Sequence, residues 1–316
     1  MKLQTNIPLS KQSNYLIDYK SKCLLLGSCF SEHIGGKFKY FKFKSLQNPF
    51  GILFHPIAIE RLITRAINSE FFSEEDLIYH NERWHCFDAH SCLSSNKKEE
   101  LLNNLNNAIK ATHQQINEST HVIITLGTAW YYRFIEMDKI VANCHKIPQK
   151  KFLKELLSTD KISESLNAII ELIRTVNSHA NILFTVSPVR HLKDGFVENQ
   201  RSKSHLISAI HGIVESQENC FYFPSYEIMM DELRDYRFYN EDMVHPNQLA
   251  INYIWNKFKS VWIASESEKI MKTVDDIQKG LAHKPFNPES ETHKVFKEKL
   301  NSKIEDLRRK EPKINF

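Results

Sequence analysis

The stretch CLLLGSCFSEHIGG, residues 23–36, decides how the fold is read. Four apolar residues run together, Gly27 and Ser28 follow, and the chain then turns polar and mixed. A continuous apolar run suits a strand buried on both faces of a parallel sheet, where helices cover each side. A serine placed where the run stops has two uses. Its hydroxyl can cap the first free amides of a helix, or it can be a nucleophile with those same amides facing an oxyanion. The stretch alone leaves both open.

Three further runs share the pattern: HVIITL at 121–126, NILFTV at 181–186 and CFYF at 220–223. Between them lie segments with helical spacing, HPIAIERLITRAI at 55–67, ISESLNAIIELIRTVNSHA at 162–180 and RSKSHLISAIHGIVESQ at 201–217. In the second, Leu166, Ile169, Ile170 and Ile173 fall on one helical face. Strand, helix, strand in succession predicts crossover units and a doubly wound parallel α/β sheet. Within residues 71–95, DLIYHNERWHCF predicts two short strands turning at His80, Asn81 and Glu82, a small insertion before the helix containing LLNNLNNAI. YFKFK, residues 40–44, is read as strand alternation in preference to an RNA-stacking surface. From about Ser265 the chain is strongly charged, and helical SEKIMKTVDDIQKGL and HKVFKEKLNSKIEDLRRKE, separated by Pro285 and Pro288, are expected over the periphery of the core. The expected division is an α/β domain over 1–264 and a charged helical extension over 265–316.

Composition bounds the class of function. The 316 residues are 41% hydrophobic and 25% charged, a globular balance. Against 42 basic side chains stand 38 acidic ones, and a net charge of +4 gives no reason to expect nucleic acid or an anionic membrane as partner. No run approaches the roughly 20 apolar residues of a membrane span. MKLQTNIPLSKQSN lacks the apolar centre of a signal peptide, so a cytoplasmic location is expected. Cys23, Cys29, Cys86, Cys92, Cys144 and Cys220 are scattered, and reduced thiols are expected rather than a disulfide framework.

Ligands of open α/β sheets gather beyond the carboxyl ends of the strands. Gly27 and Ser28 follow the first run; QNPFG supplies Asn48 and Gly51; GTAWYY supplies Gly127 and Thr128; SPVRH supplies Ser187, Arg190 and His191; NEDMVHPNQLA supplies Asp242 and His245. A three-residue spacing lets the Asp242 carboxylate orient one imidazole nitrogen of His245 while the other faces a hydroxyl. Ser28 is then the candidate nucleophile, His245 the general base and Asp242 the orienting group. An oxyanion needs donors, for which the candidates are the Ser28 and Gly51 amides and the side chains of Asn48, Thr128 and Asn143. A turn or cap would use the same asparagines. His145, Lys146, Arg190 and His191 are candidate contacts for an anionic or hydroxyl-rich substrate, or partners of nearby carboxylates.

LLLGSCFSEHIG followed by NPFGILFHP resembles the opening of the GSCFA family, named for that first motif. LGTAWYY, NCHKIP, TVSPVRH and DMVHPNQLAINYIW resemble its later blocks, so the resemblance spans about residues 1–260. The family is similar to the SGNH (GDSL) hydrolases, mostly esterases and acyl hydrolases. The resemblance implies a three-layer, flavodoxin-like sheet, with Ser28 as the block-one serine, Asp242 and His245 as the closing Asp-x-x-His, and Gly51 in place of the oxyanion glycine. Where those hydrolases carry Gly-x-Asn-Asp, this chain has Gly127, Thr128, Ala129 and Trp130, without the usual asparagine donor. Asn48, Asn143 or Thr128 would have to take its place.

The expected function is that of a serine esterase or acyltransferase working through an acyl-serine on an acylated small molecule or glycan, with no cofactor and no metal. Three other readings compete. Cys29 adjoins Ser28 and is intrinsically the stronger nucleophile, although neighbouring turn residues point different ways. WHCFDAHSC brings together His85, Cys86, Asp88, His90 and Cys92, and NCHK adds Cys144 and His145, residue types a metal-dependent hydrolase would use, but without paired cysteine hooks. The third reading is a binding module that keeps the fold without turnover.

Overall fold

The computed structural model describes residues 5–316, so the start of the amino-terminal segment read above, residues 1–4, lies outside the described residues. The chain runs β1 (Lys22–Gly27), α1 (Cys29–Tyr40), β2 (Lys44–Gln47), α2 (Pro56–Ile67), β3 (Leu77–His80), β4 (Arg83–Cys86), α3 (Lys98–Glu118) and β5 (His121–Leu126). It continues through β6 (Trp130–Phe134), β7 (Lys139–Val141), β8 (Phe152–Leu156), α4 (Thr159–Val176), β9 (Asn181–Val186) and α5 (Phe196–Ser216). β10 (Cys220–Tyr222), the short α6 (Ser225–Glu227), α7 (Gln248–Trp262), α8 (Ser265–Ala282) and α9 (Glu291–Lys310) complete it.

The apolar runs pair in parallel, in the order β10-β9-β5-β1-β2. Counted along the chain, that is the 2-1-3-4-5 order of flavodoxin-like sheets. Alternation within each run builds two cores. Leu24, Leu26, Val122, Ile124, Ile182 and Phe184 face Ile59, Leu105, Ile169 and Ile210 of α2, α3, α4 and α5. Cys23, Leu25, Ile123 and Leu183 point the other way, towards Phe38 of α1 and Trp255 and Phe258 of α7. The result is the expected three-layer, doubly wound α/β arrangement. α8 and α9 lie at the periphery of the second layer, each adding one apolar stripe to that core, Met271, Val274 and Ile277 from α8 and Leu300, Ile304 and Leu307 from α9. Among the described residues no helix is long and apolar enough to cross a membrane.

Two segments differ from the sequence reading. YFKFK is not a strand: Tyr40 ends α1, Lys42 turns with φ +64°, and β2 begins only at Lys44. Phe43 is drawn inward instead, stacked on Tyr19 with ring centroids 4.5 Å apart and 5.4 Å from Phe38, so core packing overrides alternation. The hairpin at 77–86 forms as expected, its two turn residues Asn81 and Glu82 both at positive φ. A second insertion was not legible: β6, β7 and β8 form an antiparallel sheet between β5 and α4. Its Phe134, Val141 and Phe152 pack on Phe87 beyond the hairpin, and Asp88 receives Arg61 at 2.8 Å and Lys139 at 3.0 Å. The two insertions thus form one cap, tied to α2 through Arg61.

β1 ends at Gly27 with φ +129°, where an added Cβ would lie 2.1 Å from the Thr125 carbonyl oxygen of β5. Gly27→Ala is expected to destabilise the protein by roughly 3 kcal/mol or more, measured as a lower urea midpoint with unchanged m-value. An unchanged midpoint would mean the strand ends can part without cost.

Candidate active site

The end of β1 sets the site. Ser28 is fully buried and caps α1, its Oγ accepting from the Phe30 N–H at 3.3 Å. Its own N–H donates to Thr125 O at 3.0 Å and is committed to the sheet. The Gly27 N–H donates to Asn48 Oδ1 at 2.9 Å, which fixes the Asn48 amide beside the residue before Ser28. The other half of that amide, Nδ2, is buried and has no hydrogen-bond partner among the described residues. A buried N–H₂ without an acceptor is costly, and one held this close to a nucleophile candidate is a preformed donor.

The Gly51 and Thr128 candidates are occupied. The Gly51 N–H donates to Asn48 O at 2.7 Å, inside a turn that crowds His90 and Cys92, so it is not free to face an oxyanion. Thr128 Oγ1 accepts from the Trp130 N–H and shares a hydrogen bond with Ser202 Oγ, both at 3.0 Å. Asn143 and His145 belong to the cap: Asn143 Oδ1 accepts from the His145 N–H and Ser91 Oγ, and His145 Nε2 donates to Cys86 O at 2.7 Å. Burial holds His145 neutral by pushing its pKa down to about 4. Lys146 follows at positive φ.

Asp242 and His245 do meet. His245 Nδ1 donates to Asp242 Oδ2 at 2.6 Å, while Asp242 Oδ1 accepts from the Val244 and His245 N–H groups at 2.9 and 3.0 Å. Those backbone and imidazole donors pull the Asp242 pKa down to about 2. His245 Nε2 has no partner among the described residues, and the His245 side chain is 39% exposed. His33, five residues past Ser28 on α1, has its pKa lowered by burial and by His245, so the dyad faces α1. Ser28 Oγ and His245 Nε2 are not hydrogen-bonded to each other here.

Arg190 is engaged with the dyad loop, and Nε2 of His191 lies buried beside Gly127. The Arg190 N–H donates to Val244 O at 3.2 Å, Nη2 donates to Met243 O, and the guanidinium carbon stands 4.2 Å from the Tyr239 ring centroid. Arg190 therefore clamps the loop that carries the dyad, in which Met243 is held at φ +54°. His191 Nε2 is buried without a partner among the described residues, close enough to Gly127 to be 3.3 Å from an added Cβ. Burial, then the charges of Lys203 and His245, push the His191 pKa down to about 3, so the ring stays neutral.

Sequence reasoning missed Asn199, Ser202 and Lys203, all at most 3% exposed on the inward face of α5. Asn199 Oδ1 accepts the His191 N–H at 2.8 Å, Ser202 Oγ accepts the Ala129 N–H at 2.7 Å, and Lys203 Nζ donates to Gly127 O and Ser187 O. The signal was present. Polar residues at i, i+3 and i+4 occupy the stripe that Leu206, Ile210 and Ile213 continue as apolar.

Of the rival chemistries, Cys29 is a poor thiolate, because burial pushes its pKa up against the opposing pull of Lys203. Among the described residues no group of three or more His, Cys, Asp or Glu is arranged to hold a metal. His85 is bonded to Ser94 Oγ and His80 O, and Asp88 is paired with Arg61 and Lys139.

With this geometry in place, the chain can be set beside known proteins. The model of the GSCFA family matches residues 22–258, and that of the GSCFA domain protein, C-terminal domain, matches residues 274–316. The chain belongs to the GSCFA family. No curated protein matches it. A solved structure, a carbohydrate esterase family 3 protein from Talaromyces cellulolyticus, is similar at 12% identity with a TM-score of 0.27, over 52% of this chain and 66%, a little under two thirds, of that one.

Arg190→Ala is expected to raise hydrogen exchange of the Val244 and His245 amides about tenfold or more, while the melting temperature moves only a few degrees. Unchanged exchange would mean that the dyad loop is ordered without the clamp.

Proposed function

We propose that this member of the GSCFA family is a serine-dependent esterase or acyltransferase that forms an acyl-serine at Ser28, on an acylated small molecule or glycan. The observation that carries the reading is the Asp242–His245 contact at 2.6 Å, which leaves Nε2 of a half-exposed imidazole available as a base. Serine alone is a weak nucleophile and requires such a base.

In the proposed reaction Ser28 Oγ attacks the ester carbonyl carbon as its proton passes to His245 Nε2. The carbonyl oxygen becomes an oxyanion, towards which Asn48 Nδ2 donates. Collapse breaks the bond to the alcohol, which leaves with the proton from His245. Water or a second alcohol then attacks the acyl-serine, with His245 taking and returning its proton. Asp242 stays ionised throughout, as its depressed pKa requires. In the cap Ser28 Oγ only accepts, from the Phe30 N–H, so its own O–H can still donate; the first step requires His245 Nε2 to be brought within reach of it. Catalytic hydrogen bonds are often loose in an unliganded enzyme and tighten around substrate, and the side chains of Glu241, Asp242 and Met243 are exposed, so adjustment of the loop works against the Arg190 clamp rather than against buried side chains.

A second reading, a ligand-binding module without turnover, draws support from the same cap: a fully buried Ser28 engaged with Phe30 is a good structural residue. Intact mass after exposure to a fluorophosphonate probe separates the two. One adduct is expected on the unaltered protein and none on folded Ser28→Ala, with labelling strongly reduced in His245→Ala. Asn48→Ala should slow labelling about 10²–10³-fold, the usual cost of one oxyanion donor. An unlabelled protein whose site a noncovalent phosphonate can reach would leave the binding reading standing.

A further inference from the structure

Lys203 is a charged side chain only 1% exposed, yet among the described residues it pairs with no carboxylate. Its Nζ donates to Gly127 O and Ser187 O, each at 2.7 Å, and stands 5.4 Å from the centroid of the Tyr226 ring. Those two carbonyls lie just past β5 and β9, at the sheet edge where Ser28 follows β1. β5 is paired directly with both strands, and paired strands run about 4.8 Å apart. Cys29, the neighbour of Ser28, and His191 both feel the Lys203 charge.

When Lys203 is protonated, the two carbonyl dipoles satisfy hydrogen bonds but supply no opposite charge, in a site shielded from water where charge normally requires one. We propose that Lys203 is the counter-charge for the reaction: its anion is missing in the resting protein and arrives as the oxyanion on the substrate held at Ser28. This inference rests on the acyl-serine reading given above. A charge that gains its partner only as the oxyanion forms favours the transition state over the bound substrate. It also offers an electrostatic substitute for the asparagine that is absent after Gly127. Lys203 acts through space and through the Gly127 and Ser187 peptides, so it is a positioning residue.

The groups facing Lys203 are Cys29 from α1, His191 from the loop after β9 and Tyr226 from α6. Burial pushes the Cys29 thiol up, His191 down to about 3 and Tyr226 up to about 12, so these three stay uncharged between pH 5.5 and 8. Burial lowers the Lys203 pKa to about 7, with Cys29 pulling it back upward. The positive charge is present below that value and lost as pH rises through it.

The test is the rate of fluorophosphonate labelling of Ser28 between pH 5.5 and 9, on the full chain and on Lys203→Met and Lys203→Arg, with thermal melts as the check on folding. The unaltered protein should show a component of the rate that declines as pH rises through about 7. Folded Lys203→Met should lose about tenfold in rate below pH 7 together with that decline, and Lys203→Arg, if it folds, should keep the rate without the decline. A labelled protein with no such decline, or a folded Met variant with the original profile, overturns the role of Lys203 alone. The profile of the unaltered protein decides the matter even where a variant fails to fold. Absence of any Ser28 adduct overturns the acyl-serine reading and this inference with it.

Discussion

The carboxyl edge of the sheet is organised by how closely β1 and β5 approach at Gly27. With φ at +129° and no room for a Cβ against Thr125, the backbone swings out of the strand and delivers Ser28 directly to the head of α1. The same turn exposes the Gly27 N–H to Asn48 Oδ1, which orients the asparagine and leaves Nδ2 without a partner among the described residues. One steric constraint therefore places the hydroxyl, the helix terminus and the best free donor together. The two uses of Ser28 posed by its sequence are not exclusive. A capping serine lends only an oxygen lone pair, in one neutral hydrogen bond worth about 1 kcal/mol, and keeps its O–H to donate elsewhere.

Around that turn the polar groups are held in two ways. The dyad loop is exposed and depends on Arg190, whose guanidinium and backbone amide fasten Met243 and Val244 to the end of β9. The loops after β5 and β9 are instead held from beneath by α5, through Asn199, Ser202 and Lys203. An exposed Asp242–His245 pair on a loop clamped from one side thus stands beside strand ends supported from within. The cap of two insertions stands next to it, with His90 and Cys92 packed on Gly51 and sensing Glu32 of α1.

Much of the scaffold was legible because its signals are local. Continuous apolar runs marked β1, β5, β9 and β10, and the spacing of Leu166, Ile169, Ile170 and Ile173 marked α4. β2 was missed because a short edge strand of intermediate burial, KSLQ, carries no apolar run. β6 to β8 were missed for a related reason: they are strands of three to five residues whose apolar Phe134, Val141 and Phe152 find their partner in the distant Phe87.

For the site, sequence alone determined the candidate list, since Ser28, Arg190 and His191 follow predicted strands, Asn48 stands before the helix predicted at 55–67, and Asp242 and His245 share one short loop motif. It also determined the local pairing of Asp242 with His245, three residues apart in one loop. Tertiary structure decided which candidates are free. Gly51 and Thr128 are occupied, Asn143 and His145 serve the cap, Arg190 serves the dyad loop, and the α5 stripe with Lys203, which meets no carboxylate among the described residues, enters from a helix that reads as ordinary core. A residue type states what a group can donate or accept. Whether it is already engaged depends on partners brought from tens of residues away, and that is settled only when the chain has folded.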